Sequence, residues 1–243
     1  MNETITEEID RITSLGLSPI DVRAWYKTNI LMPTIRRASV AIVIASLVTF
    51  GMSTSLGSLS QSTLALHMII GHFAFILIGF LGAYASTSLL TVGSLLSKRI
   101  SQIRKMFQRL NRVGNRGGIA TFVSAAALIA YWNVPSTFDA AVVIELAHLQ
   151  MHLTLAVAGG LIFVGSTCLR KRARQIAPII AGKIMGLYGV FLVLTPVNLY
   201  TVYSYYDQTI AGVSLITAML LMDFTIVPVW LYNYFGRTSQ STP

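Results

Sequence analysis

The sequence predicts an all-α, polytopic membrane helix bundle of about six transmembrane helices, with both termini on the cytoplasmic side. Three observations predict it. The 243 residues are 54% hydrophobic and 11% charged, with a mean hydropathy of +0.66, whereas soluble domains carry roughly 25% charged residues. Six apolar runs approach the about 20 residues that a spanning helix requires. The basic residues between these runs fall in every second connection and are missing from the alternate ones, which is the positive-inside pattern.

Taken in order, residues 1–35 form a cytoplasmic amphipathic segment. Ile5, Ile9, Ile12 and Leu15 recur at helical spacing among acidic residues. Gly16 ends that helix, and Ser18 and Pro19 start another as N-cap and first-turn residue. Trp25 and Tyr26 suit a membrane interface. The segment either docks on its own bundle or contacts a partner subunit. Its start is acidic and no short apolar stretch follows, so a cleaved signal peptide is not expected.

Residues 36–236 form the bundle, with spans at about 38–56, 63–96, 118–133, 140–168, 176–197 and 210–235. The second run is too long for one straight span, so it continues beyond the bilayer or breaks near Gly93. The third is short. Pro135 breaks the chain between spans three and four, Asp139 caps span four and Asp207 caps span six. Asp223, an acid inside span six, bonds to backbone freed by a kink at Pro228, pairs with Lys183 or serves a proton path. YTVYSYYD (residues 200–207) reads as an interfacial aromatic belt first and a partner surface second. Residues 237–243 form a disordered tail.

Arg36 and Arg37 precede span one. Lys98, Arg99, Arg104, Lys105, Arg109, Arg112 and Arg116 lie between spans two and three. Arg170, Lys171, Arg172, Arg174 and Lys183 lie at the junction of spans four and five, and Arg237 follows span six. The net charge of +9 therefore orients the chain in a cell membrane and does not indicate nucleic acid. Membrane lipid is the first partner, and other membrane subunits the second. The lone Cys168 excludes a disulfide framework and a Cys-rich metal site. There is no phosphate loop, nucleophile elbow or dinucleotide fingerprint, so an enzyme is not expected.

All four histidines fall inside apolar runs: His67 and His72 in span two, His148 and His152 in span four. At 1.5 Å per residue, His72 and His148 lie about 12–14 Å below the outer surface and His152 about 18 Å below it. Ionisable groups at such depth are costly and face the bundle interior or a cavity. Glu145, His148 and His152 share one helical stripe, so Glu145 is placed to accept a hydrogen bond from a ligand imidazole. His67 and His72 are five apart, about 140° on an ideal helix; a π-bulge near Gly71 brings them together, and without it only one joins span four.

Copper and haem b both suit such imidazoles. Met68 and Met151 adjoin His67 and His152, with Met52 near the same side, and add a soft thioether character that favours Cu(I). A haem takes one axial histidine from each helix, and these spacings admit at most one haem. The bland alternative is a structural subunit whose histidines hydrogen-bond between helices.

The motifs resemble the CtaG-like cytochrome c oxidase assembly factor family. LHMIIGH (residues 66–72) is similar to its paired-histidine helix. YWNVPSTFDAA (residues 131–141) is similar to its Trp-His-x-Pro-x-x-Tyr-Asp loop. HLQMH (residues 148–152) is similar to its next histidine pair, and DQTIAG (residues 207–212) to the opening of its last span. The resemblance implies a membrane protein that supports maturation of a respiratory haem-copper oxidase, through copper supply. Asn133 stands where the family has a histidine, the first histidine pair is five apart where four is expected, and the N-terminal segment has no counterpart in the pattern.

Overall fold

The computed structural model describes residues 31–53, 59, 61–96, 102, 118–169 and 171–235. Among these the chain is all-helical. Helix α1 is Met32–Met52. Helix α2 is continuous through three segments: Leu64–Leu66, a π-helical turn His67–Gly71, and His72–Leu96. Then follow α3 (Ile119–Asn133), α4 (Pro135–Val143), α5 (Glu145–Cys168), α6 (Lys171–Leu194) and α7 (Tyr205–Phe235). Five helices are long and apolar enough to cross a membrane, and a sixth span arises if α3 and α4, bent by 69°, count as one. This is the build of a multi-pass membrane protein.

The observed bounds differ from the expected ones where the backbone has its own reason. Pro33 opens α1 in its first turn, a position that needs no amide hydrogen. Arg36 and Arg37 therefore lie inside α1 and not ahead of it. Helix α2 runs through Gly93 without a break. Span four is divided: the chain turns at Val134, held extended ahead of Pro135, and again at Ile144 (φ −105°, ψ 112°). The expected elements in residues 1–30 and 237–243 lie outside the described residues.

Helices α2 and α5 are the central pair, flanked by α1 against α2 and α3 against α5; α6 and α7 form an antiparallel pair that touches the start of α2. Both pairs close through glycine. A Cβ on Gly79 would sit 1.7 Å from the Ala156 carbonyl oxygen, and one on Gly159 would sit 1.9 Å from that of Ile76. Gly189 and Gly212 approach each other's carbonyls in the same way, at 2.6 Å. Small residues let apolar helices gain van der Waals contact where lipid supplies no hydrophobic drive.

One end of the bundle gathers the start of α2, the bent α4 and the α6–α7 connection. Two acids shape it, in ways that correct the expected caps. Asp139 lies within α4, and its Oδ2 accepts from the Thr201 amide and hydroxyl, both at 2.7 Å. It ties the connection to α4 because the break at Ile144 makes Asp139 part of a separate short helix. Ser204 caps α7 and Asp207 completes a reciprocal box: the Asp207 amide donates to Ser204 Oγ, and Asp207 Oδ2 accepts from the Ser204 amide and hydroxyl. Gln208, fully buried, accepts from the Leu199 amide and donates to the Leu192 and Val197 carbonyls. These bonds fix Tyr200 and Tyr203 beneath the histidines.

Candidate functional site

The four histidines meet at this end. Thr63 caps α2 by accepting from the Leu66 amide, and the π turn begins at once. The His72 amide donates to the His67 carbonyl, an i to i−5 bond. Five residues then make about one turn, and the two imidazoles sit with ring centroids 5.7 Å apart. Of the two expected alternatives, the π turn that brings His67 and His72 together is the one present. Across the helix gap, the His67 ring lies 5.7 Å from that of His148, which lies 4.2 Å from that of His152. Phe138, brought back by the bend into α4 and fully buried, packs on His67 at 4.8 Å and on His72 at 5.8 Å. His152 stacks on Phe75 at 3.7 Å.

Hydrogen bonds set the tautomers. His148 Nδ1 lies 3.1 Å from the Ala141 carbonyl oxygen. A carbonyl only accepts, so Nδ1 carries the hydrogen and the neutral ring keeps its lone pair on Nε2. Gln61 Nε2 meets that nitrogen at 3.0 Å. The Tyr203 hydroxyl donates to the Gln61 carbonyl at 3.1 Å, so its oxygen accepts from His67 Nδ1 at 3.2 Å. The neutral His67 ring likewise keeps its lone pair on Nε2. Burial, with Asp207 and Asp139 nearby, pushes the Tyr203 hydroxyl up to about 12, so it stays protonated and remains a donor at physiological pH.

His67 and His72 are nearly inaccessible, at 1% and 4% exposure. His72 Nε2 is buried and has no hydrogen-bond partner. A buried polar atom left without a partner costs about 1–3 kcal/mol. Among the described residues, no group of three or more His, Cys, Asp and Glu side chains is arranged to hold a metal ion.

Glu145 does not take the role expected of it. It is exposed at the first position of α5, and the Ala141 carbonyl orients His148 in its place. The break at Ile144 explains this: Ile144 and His148 amides bond to Ala140 and Ile144, while the Ala141 carbonyl is met by the imidazole. Met68 is buried in a cluster with Leu64, Phe138 and Tyr200, and Met151 in one with Trp132, Ala141 and Leu155; packing accounts for both. Asn133 turns its amide back to the Ile129 carbonyl. Its own carbonyl accepts from the Tyr188 and Tyr200 hydroxyls at 2.8 and 2.9 Å.

The sequence reading missed Gln61, Tyr203, Phe138 and the Ala141 carbonyl. Tyr203 carried a signal within the aromatic run 200–207, read there as a belt. Gln61 is one polar residue in a polar connection and carried none.

No family model, curated protein or solved structure matches this chain. The resemblance of its motifs to oxidase assembly factors therefore stands on the residues quoted for it.

Proposed function

We propose that the chain binds copper at the histidine end of α2 and α5, in support of maturation of a respiratory haem-copper oxidase. The observation that carries this reading is the buried His72 Nε2 without a partner, beside two imidazoles whose Nδ1 bonds leave Nε2 lone pairs. Imidazole nitrogen is a good copper donor, and a π turn is a device often found at functional sites. His67, His72 and His148 are the proposed ligands, with His152 next to them. Because no three such side chains among the described residues are arranged around one point, loading requires the imidazoles to move together and His148 Nε2 to leave Gln61. Bound copper would supply a soft, redox-active cargo; the chain's own residues hold His67 and His148 in one tautomer, and Phe138 covers His67 and His72. The alternating basic connections support an orientation in the cell membrane with both termini in the cytoplasm and the histidines in the outer half.

Haem b fits the packing poorly. Below the histidines, α2 and α5 are in backbone contact at Gly79 and Gly159, leaving no slot for a macrocycle between them. A structural role has one specific support, the satisfied Nδ1 atoms of His67 and His148.

The test is metal analysis and a visible spectrum on purified chain reconstituted with Cu(I). About one copper per chain, with no Soret band, is expected, and His148→Ala should lower occupancy at least about 10-fold. Wild type that takes up no copper sinks the proposal, and a Soret band would replace it with haem.

A further inference from the structure

At the opposite end from the histidines, α1 and α2 enclose a groove of about 690 Å³. Its lining includes Val40, Ile44, Leu81 and Tyr84, together with Arg36 and Arg37. The groove lies along spanning segments, since α1 and residues 64–92 are each long and apolar enough to cross a membrane. Its lining along α1 runs from Met32 to Ile44, about 18 Å at 1.5 Å per residue. Arg36 and Val40 are one turn apart, as are Arg37 and Ala41, so both guanidinium stems lead directly into the apolar wall. Both arginines are exposed, and no carboxylate among the described residues pairs with either.

We propose that this groove holds one anionic phospholipid, its phosphate clasped by Arg36 and Arg37 and an acyl chain lying along Val40, Ile44 and Leu81. Charge complementarity selects the occupant. A guanidinium binds phosphate oxygens in a fixed two-pronged geometry, and two adjacent ones favour a headgroup with net negative charge. The wall offers aliphatic surface within the span, where the available filler is a hydrocarbon chain. Arginine clusters at the end of a spanning helix each contribute attraction to anionic lipid worth about a 5-fold change in binding. Tyr84 and Leu81, one turn apart on α2, complete the lining opposite α1. Topology alone accounts for two arginines at a span end; it does not account for a groove that both of them line.

The test uses the full chain in mild detergent, with native mass spectrometry after addition of dioleoyl-phosphatidylglycerol or dioleoyl-phosphatidylcholine. Wild type is expected to retain one phosphatidylglycerol in preference to phosphatidylcholine. Arg36→Gln with Arg37→Gln should weaken that retention about 30-fold and remove the preference. Val40→Trp, at an exposed position on the groove wall, should also weaken it with both charges in place. Equal retention of the two lipids by wild type, or unchanged retention in both variants, overturns the proposal. A photoreactive side chain at position 40 should cross-link to lipid in the full chain; cross-linking to residues 1–30 instead would assign the groove to the protein's own N-terminal segment and also overturn it.

Discussion

The α2–α5 pair and the α6–α7 pair solve the same packing problem and differ in what they do with polar groups. Each is closed by reciprocal glycine contacts onto the neighbour's carbonyls. In α6–α7 the intramembrane charges satisfy each other: Lys183 donates to Asp223, which answers the question raised by that acid. In α2–α5 the His67 and His148 imidazoles are bonded from outside the pair, by Tyr203, Gln61 and Ala141, and one buried nitrogen of His72 is left over. A polar group paired within its own helix pair is explained by the fold. Polar groups held by three outside elements, with an unpartnered buried nitrogen beside them, are the arrangement on which the proposed copper site rests.

The largest effect is expected from wedging the two pairs apart. Gly79→Val forces a side chain onto the Ala156 carbonyl and should cost at or above the upper end of the about 1–3 kcal/mol typical of overpacking. Gly212→Val should cost less, since the gap there is 2.6 Å and not 1.7 Å. Thermal unfolding in detergent ranks them. On the folded fraction, only the Gly79 variant should lose copper; equal loss in both would erase the distinction between the pairs.

His72→Leu comes next. It removes the unpartnered nitrogen and keeps apolar volume, so the metal-free chain should gain roughly 1 kcal/mol while copper occupancy collapses. A stability loss without copper present would mean that His72 has a structural partner after all.

Asp223→Leu leaves Lys183 without its carboxylate and should destabilise by at most about 3 kcal/mol, because the Lys183 side chain is 56% exposed and can reorient. Adding Lys183→Met should restore most of that loss, with copper binding untouched throughout. Copper that follows the ion pair would extend the coupling between the two pairs from the α6–α7 connection, where Tyr203 meets His67, into the spans themselves.

Glu145→Gln should do least, within about 0.5 kcal/mol in stability and with no measurable change in copper affinity. A 10-fold or greater weakening, the scale of an orienting partner, would return the carboxylate to the site in place of the Ala141 carbonyl.

The sequence by itself determined the helical class and the apolar helices long enough to cross a membrane, of which the structure has five, or six if α3 and α4 count as one. Those properties depend on composition and on rise per residue, which are local. It also determined that residues 66–72 need a wider turn for His67 and His72 to share a face, since five residues do not close an α-helical turn. Only the tertiary structure decided which atoms orient the imidazoles. The stripe Glu145–His148–His152 lies whole within α5, but the break at Ile144 just ahead of it put the Ala141 carbonyl against His148 and left Glu145 exposed. Tyr203 reaches His67 across 136 positions of chain, and Gln61 reaches His148 across 87. Helical periodicity relates residues within a few turns; contacts made through a bend in one helix and a connection held by Asp139 and Gln208 have no period, so they exist only once the helices have packed.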